Sequence, residues 1–487
     1  MLRALVTIGA AQVVTMLVLL ARTKSLALML GPENLGVMAV IDKLLAVITQ
    51  TVSLSLPFAA ARFLPGRWST GPREFRALFT QMRNVLLALA LAATAGALAI
   101  SWVRPGLWGA ALRPYRTVVM VAMIGIPVTG LVPFLQNAVA GRMQQNRSMA
   151  IVFLNALVMT LSVAGIAWGG LVGYYVAFAA LGTALVVIAT RMATEGTDAS
   201  ASTTTPTEAV VAGLPTQIWR FSGALFILTF VAPYAALFIH YRLLRDHGTQ
   251  AAGWMQSAIG VSLAVRQVLG AAHAVYLTPN VNRGGSPAAR MEWANRFQIT
   301  LCLLAGLTVP PLLMFPAVAL RILYSAAFAP AAAFVILFVL TEMVGMLSGT
   351  YQSLIVALDH LPFHVVSNLV AQLLVVGIAV TVVGPLGIVG AGLAGLAAPI
   401  FLFIATTLFL NRTYQLRMPR AVIMRSAWLL LCLLATGVFG ARFPDLSLTM
   451  LPMKAGVYVL VVAGFAALLT ATERGRVRTI VEWVRLR

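Results

Sequence analysis

The chain has 487 residues, of which 60% are hydrophobic and only 10% charged, and its formal net charge is +21. Soluble domains usually carry about 25% charged residues, so this composition excludes an ordinary water-soluble fold. Its two cysteines, Cys302 and Cys432, lie within apolar stretches, which favours small core residues over a disulfide framework or a metal centre. The sequence therefore predicts a protein embedded in a lipid bilayer.

Apolar stretches long enough to cross a bilayer recur along the whole chain. Helices satisfy their own backbone polar groups in lipid, whereas strands need a closed barrel of much shorter segments, so long apolar runs predict helices. The first run is too long for a cleaved signal peptide and lacks a clear cleavage site, so it is expected to be retained. Fourteen spans are predicted, at residues 5–30, 36–61, 84–103, 117–140, 148–168, 170–190, 218–239, 251–273, 297–320, 331–357, 363–384, 386–410, 424–441 and 453–471.

The predicted fold is an all-α polytopic transmembrane bundle with two six-helix lobes and a C-terminal helix pair. Residues 1–193 form the N-terminal lobe, 217–411 the C-terminal lobe and 412–471 the extra pair. Residues 194–216 are rich in Ser, Thr, Ala and Gly, which predicts a flexible cytoplasmic linker. Residues 472–487 set valines and an isoleucine at helical spacing among arginines, which predicts a basic amphipathic helix on the anionic inner leaflet; a solvated charged end is the alternative.

Basic residues are distributed unevenly between the two predicted sides of the membrane. Of the 34 Lys and Arg residues, 22 lie in the N-terminus, the even-numbered loops and the tail, and 8 lie in the odd-numbered loops. Cytoplasmic loops are enriched in Lys and Arg, so both termini are predicted to be cytoplasmic. The same rule explains the net charge without nucleic-acid binding.

Charged residues inside predicted spans are the first candidates for function, because each costs about 2.5–3.5 kcal/mol near mid-bilayer. Lys24 and Asp42 fall at similar depth on either side of a tight hairpin, so a structural ion pair is one interpretation. Arg22 lies about 200° around the helix from Lys24 and cannot share its face. Arg266 lies near enough to the cytoplasmic end to snorkel, but Arg22 and Arg266 together are interpreted as cations that both lobes contribute to a shared interior.

Glu342 lies too deep in its predicted span to snorkel. With Gly345, Gly349 and Gln352 it gives its helix one small and polar face, suited either to close helix packing or to a cavity. The carboxylate is expected to couple to H⁺ or Na⁺, or to neutralise Arg266 when no ligand is bound.

The fourth predicted span contains two prolines, Pro127 and Pro133, just before Gln136 and Asn137. Proline removes a backbone donor and frees a carbonyl one turn earlier, so a bend that permits rocking is expected; the alternative is a proline without such a role, which is common in membrane helices. The candidate coupling or cavity residues are Asp42, Glu342, Gln352, Gln136 and Asn137. Scattered histidines, the lack of paired carboxylates within a loop and the lack of a phosphate-cradling motif argue against an enzyme.

Four segments resemble a known family: LGPENLGVMAVIDKLLAV from Leu30, LQNAVAGRMQQNRSMA from Leu135, ALRILYSAAFAPAAAFVILFVL from Ala319 and GPLGIVGAGLAG from Gly384. In their order and placement over nearly the entire chain they resemble the polysaccharide (oligosaccharide) flippases of bacterial inner membranes. That family belongs to the superfamily of the lipid II flippase and the multidrug antiporters called MATE. The resemblance implies a V-shaped pair of six-helix lobes that alternates between inward and outward openings, with a cationic cavity for a polyprenyl-diphosphate-linked sugar.

Under this resemblance the substrate-binding cations are Arg22, Lys24, Arg62 and Arg266, because basic side chains, and arginine above all through its fork, pair with phosphate oxygens. The expected role is transport for surface polysaccharide such as lipopolysaccharide or exopolysaccharide, with no cofactor beyond H⁺ or Na⁺ coupling. Expected partners are the lipid-linked oligosaccharide, anionic inner-leaflet lipids and the glycan polymerase and chain-length machinery. The alternatives are a lipid II flippase, a cation-coupled multidrug exporter that would rest on Glu342 and Asp42, and a membrane glycan polymerase or ligase.

Overall fold

A computed structural model of the chain describes residues 2–142, 144–195, 214–273, 277, 281, 285–443 and 450–468. Within these residues every regular element is helical and no strand occurs, which confirms the predicted all-α class. Most of the predicted linker and the whole predicted amphipathic tail lie outside the described residues, so both stay predictions.

The described residues form fourteen α-helices, joined in places by short 3₁₀ turns. They are α1 Leu2–Ser53, α2 Leu56–Thr70, α3 Pro72–Val103, α4 Arg116–Met123, α5 Ile126–Gly141, α6 Gln145–Leu161, α7 Ile166–Thr194, α8 Thr216–Ala272, α9 Pro287–Met314, α10 Pro316–Leu323, α11 Val335–Ala357, α12 Leu361–Tyr414, α13 Arg420–Arg442 and α14 Leu451–Ala467.

Four of these helices contain a break at one glycine with a positive φ. The breaks are at Gly31 (φ 65°) in α1, Gly170 (φ 56°) in α7, Gly248 (φ 85°) in α8 and Gly387 (φ 57°) in α12. Glycine adopts this left-handed conformation without the clash that a Cβ would cause. At each of these four glycines, one predicted span is therefore followed by the next after a break of a single residue.

The helices account for all the predicted spans. Eight helical stretches are long and apolar enough to cross a membrane, and a ninth is a bent pair, Ala110–Met123 with Ile126–Gly141. Splitting four stretches at their glycine breaks and adding the shorter apolar α14 gives fourteen described segments, each overlapping one predicted span. The chain is a multi-pass membrane protein. The bent pair meets at 41° directly before Pro127, as the proline pattern predicts.

The second span is also broken, between α1 and α2, by two left-handed residues that are not glycine. These are Leu54 (φ 45°) and Ser55 (φ 59°), and such residues cost roughly 1–3 kcal/mol each unless their surroundings hold them. Ser55 is buried, and its Oγ lies 2.7 Å from Oγ1 of Thr229 on α8. Asn137 on α5 donates a hydrogen bond of 2.9 Å to the carbonyl oxygen of Pro57. Contacts from two other helices therefore hold this break in place.

The chain divides by internal packing into two compact units, Met1–Gly253 and Trp254–Arg487. In the first unit, α2 packs against α3 and α5, and Leu214 and Ile218 at the start of α8 are buried in the same core. In the second unit, α9 packs against α13 and α14, and α11 packs against α12. The predicted bounds of the lobes and of the extra pair stay predictions.

Candidate functional site

A cavity of about 280 Å³ lies within the first unit. Its charged side chains, Arg22 and Asp42, come from the two parts of α1 on either side of the Gly31 break. Tyr174 and Tyr175 reach it from α7. The rest of the wall is lined by Leu45, Ala46, Thr49, Gln50, Thr129, Met159 and Phe178. The cavity therefore places one cation and one acid among mainly apolar and hydroxyl side chains.

Arg22 is held by one neighbouring tyrosine. Its Nη2 donates a hydrogen bond of 2.7 Å to the hydroxyl oxygen of Tyr174, and its guanidinium carbon lies 5.8 Å from the centre of that ring. Its Nε is buried and has no hydrogen-bond partner in the part of the chain that the structure describes. A guanidinium has five N–H donors, so Arg22 retains donors for a ligand.

Asp42 is held by the next tyrosine along the chain. The hydroxyl of Tyr175 donates a hydrogen bond of 2.8 Å to Oδ1 of Asp42, and the rings of Tyr174 and Tyr175 meet edge to face with their centres 5.2 Å apart. The described ion pairs do not include the expected one of Asp42 with Lys24, whose side chain is half-buried. Arg22 and Asp42 are linked through the tyrosines, with no direct ion pair between these two described residues.

In the second unit, Arg266 and Glu342 pair directly. Nη1 of Arg266 lies 3.5 Å from Oε2 of Glu342, and the two side chains are 62% and 19% exposed. One of the predicted roles of Glu342, the neutralisation of Arg266, has the geometry that it needs. Gln352 lies further along α11, where its Oε1 accepts a hydrogen bond of 3.3 Å from Nδ2 of Asn368.

The two glycines near Glu342 do not serve close helix packing. A Cβ added at Gly349 would meet no described atom within 4 Å, and one added at Gly345 would lie 4.0 Å from Cβ of Pro399. This face of α11 is therefore loosely covered, which favours the cavity alternative over the packing alternative.

The other predicted site residues lie apart from the Arg22 cavity. Arg62 is exposed, and its guanidinium carbon lies 4.6 Å from the centre of the Phe221 ring, a cation–π contact at the start of α8. Gln136 is half-buried on α5. The side-chain amide of Asn137 donates its hydrogen bond to the carbonyl oxygen of Pro57, beside the break in the second span. The described lining of the cavity includes neither these three residues nor Lys24.

Several cations that the apolar pattern places in loops are buried at the ends of helices. Arg142 is only 5% exposed; it donates 2.8 Å and 2.7 Å hydrogen bonds to the carbonyl oxygens of Ala193 and Glu195, at the end of α7, and lies 4.3 Å from the centre of the Trp68 ring. Burial, and then the charge of Arg147, lowers the pKa of the Arg142 guanidinium. Carbonyls at a helix C-terminus lack partners and carry a partial negative charge, so Arg142 stabilises this end.

Lys454 and Arg425 play the same part in the second unit. Nζ of Lys454 donates 2.8 Å and 2.7 Å hydrogen bonds to the carbonyl oxygens of Met314, the last residue of α9, and Phe443, which directly follows α13. Nη2 of Arg425 donates a 2.7 Å hydrogen bond to the carbonyl oxygen of Leu468, at the end of α14. These cations contribute to the fold and not to the candidate site.

Comparison with known proteins gives matches in structure only. No protein-family model matches the chain, and no curated protein matches it. The lipid II flippase MurJ in an inward closed conformation matches with a TM-score of 0.70 at 11% identity, over 95% of this chain and 98% of that chain. An inward-facing multidrug resistance MATE family transporter of the MOP superfamily matches with a TM-score of 0.57 at 14% identity, over 85% and 95% of the two chains.

A third solved structure belongs to a MOP superfamily transporter from Pyrococcus furiosus, described by the reverse polarity of its binding pocket. It matches with a TM-score of 0.51 at 16% identity, over 89% of this chain and 96% of that chain. At these identities the likeness shows the fold: the chain has the helical architecture of the MurJ flippase and the MATE transporters. The predicted fold is confirmed, and the predicted relation to polysaccharide flippases and their superfamily stays a prediction.

Proposed function

We propose that this chain translocates a polyprenyl-diphosphate-linked oligosaccharide across a bacterial inner membrane by alternating access, with both termini in the cytoplasm. The observation that carries the proposal is Arg22, a guanidinium that lines a cavity of a transporter fold and whose described hydrogen bond uses Nη2 alone, toward the hydroxyl of Tyr174. Guanidinium groups bind phosphate oxygens in a forked geometry and stay charged at any biological pH. A lipid diphosphate supplies such oxygens.

The state of the two intramembrane acids favours an anionic ligand over a cationic drug. Glu342 is paired with Arg266, and Asp42 accepts a hydrogen bond from Tyr175, whereas Arg22 keeps unused donors. An exporter of cations would need a carboxylate open to its ligand. H⁺ or Na⁺ coupling through Asp42 or Glu342 is part of the proposal.

A lipid II flippase is the second candidate, because its substrate has the same lipid-diphosphate chemistry. The structural likeness to MurJ, at a TM-score of 0.70, extends over 95% of this chain, against 85% for the MATE transporter. The partners proposed for the first candidate are the glycan polymerase and chain-length machinery, with anionic lipids beside the tail.

Alternating access would have to open one close contact within the first unit. A Cβ at Gly253 would lie 1.8 Å from the carbonyl oxygen of Pro32, and a Cβ at Gly36 would lie 2.1 Å from that of Thr249. The turns that follow Gly31 and Gly248 therefore touch backbone to backbone. Small residues allow such close contact between helices.

The test uses purified protein in proteoliposomes and a fluorescent polyprenyl-diphosphate-linked sugar, with translocation followed by access of a quencher. We expect the wild type to translocate the probe and Arg22→Ala to lose translocation. Thr23→Ala is the matched control, because the hydroxyl of Thr23 donates only to the carbonyl oxygen of Leu19 in its own helix.

Parallel vesicles with lipid II and with a cationic dye separate the candidate functions. Preference for lipid II would replace the oligosaccharide by the second candidate. Dye transport alone, or full translocation by Arg22→Ala, would contradict the proposal of a lipid-diphosphate flippase.

A further inference from the structure

We propose that Tyr174 and Tyr175 are positioning residues that keep Arg22 and Asp42 apart, so that the guanidinium stays available to an anionic group of a ligand. The identity of that ligand rests on the proposed function, whereas the separation of the two charges rests on the geometry of the cavity alone.

Each tyrosine hydroxyl holds one of the two charges. The Tyr174 hydroxyl accepts from Nη2 of Arg22 at 2.7 Å, and the Tyr175 hydroxyl donates to Oδ1 of Asp42 at 2.8 Å. The tyrosines are consecutive on α7, and successive side chains of a helix point about 100° apart. Their rings meet at 81°, so each supports the direction of the other.

Burial makes these two hydrogen bonds necessary for the tyrosines. Tyr174 is 2% exposed and Tyr175 is 1% exposed. A buried tyrosine hydroxyl usually has a hydrogen-bond partner, and a bond to a charged group is stronger than one between neutral groups. Arg22 is the partner of Tyr174, and Asp42 is the nearer partner of Tyr175, whose hydroxyl also lies 3.5 Å from the carbonyl oxygen of Met38. Each charge thus has a tyrosine partner, and the opposite charges are not joined.

In the second unit, an arginine and a glutamate pair without a tyrosine between them. Arg266 and Glu342 approach each other directly at 3.5 Å. Opposite charges attract strongly in an interior of low dielectric, so Arg22 and Asp42 in one small cavity are expected to pair in the same way when nothing holds them. Direct pairing would occupy guanidinium donors that a ligand needs.

The test is a double-mutant cycle between Arg22→Ala and Asp42→Asn, measured as the Tm of the full chain in detergent without ligand. Tyr174→Phe keeps the ring and removes the hydroxyl that holds Arg22. We expect the non-additivity between the two substitutions to be larger in the Tyr174→Phe background than in the wild type, by roughly 2 °C or more.

Tyr175→Phe provides a second measurement, because it frees Asp42 in place of Arg22 and should raise the same coupling. Tyr458→Phe is the matched control: the Tyr458 hydroxyl donates to the carbonyl oxygen of Leu307 in the second unit, at 3.0 Å. Equal coupling in the wild type and in both Tyr174→Phe and Tyr175→Phe would overturn the proposal.

A binding measurement then separates this proposal from the proposed function. With inorganic pyrophosphate as the probe, we expect Tyr174→Phe to raise the Kd about tenfold and the added Asp42→Asn to restore it, because the competitor for Arg22 is gone. A merely structural role of Tyr174 would not be rescued in this way. Raised coupling between Arg22 and Asp42, with no pyrophosphate binding by any variant, would support the positioning role of the two tyrosines. The same result would count against the lipid-diphosphate substrate.

Discussion

The two units hold a cation and an acid in different ways. In the first unit, Arg22 and Asp42 line one cavity and each is bound to a tyrosine hydroxyl. In the second unit, Arg266 binds Glu342 directly, and the arginine side chain is 62% exposed. Arg22 therefore lines the cavity without a carboxylate bound to it, whereas a ligand of Arg266 has to compete with a carboxylate. The partner of a membrane cation, more than its depth, decides what the cation can bind.

If this difference governs function, loss of Arg22 should cost far more transport than loss of Arg266. We expect Arg22→Ala to lower the initial translocation rate in proteoliposomes about 100-fold, the size of one or two charge-assisted hydrogen bonds, and Arg266→Ala about tenfold. Arg22→Lys keeps the charge without the fork and should give an intermediate rate. Equal losses for the two alanine variants would contradict the distinction.

A cation that caps a helix should act on stability and not on transport. Arg142→Met removes hydrogen bonds to the carbonyl oxygens of Ala193 and Glu195, so we expect the free energy of unfolding to fall by about 2–3 kcal/mol. The translocation rate per folded molecule should stay that of the wild type. Thermal unfolding in detergent measures the first quantity. The control is half-buried Arg83, bound to the side chain of its neighbour Asn84, for which Met should change stability by less than about 0.5 kcal/mol.

Removing the carboxylate that pairs with Arg266 should make this arginine available to a ligand, as Arg22 is in the first unit. Glu342→Gln removes the charge that competes for Arg266, so we expect the apparent KM for the lipid-linked probe to fall about threefold. Thr341→Val is the control, because the Thr341 hydroxyl donates to the carbonyl oxygen of Leu337 in its own helix. A large loss of rate in Glu342→Gln would instead identify Glu342 as a coupling carboxylate.

Salt should weaken the Arg266–Glu342 pair, whose arginine side chain is 62% exposed, and this is the smallest expected effect. The Debye length falls from about 10 Å at 0.1 M salt to about 3 Å at 1 M. We expect the KM difference between the wild type and Glu342→Gln to shrink below about twofold at high salt, because exposed ion pairs are screened. The effect of Arg22→Ala should persist, since that cation lies in a cavity. Translocation measured at both salt concentrations decides the outcome.

The sequence by itself determined the helical class, the spans and the main breaks. Apolar length predicts a helix because the backbone has to satisfy itself in lipid, and the Gly31-Pro32 and Gly387 breaks follow from local backbone chemistry. The bend before Pro127 is equally local. These features depend on residues that are close neighbours in the chain.

Only the tertiary structure decided which charges meet. Arg22 binds Tyr174, 152 residues away, and the described partner of Asp42 is Tyr175 of α7, 133 residues away, and not the nearby Lys24 that the sequence suggests. The left-handed break at Leu54 and Ser55 contains no glycine, so the sequence did not predict it. A contact of Ser55 with Thr229 of α8 helps to hold it. A hydropathy pattern records how apolar a helix is, but the partner of a polar side chain depends on the packing of distant segments.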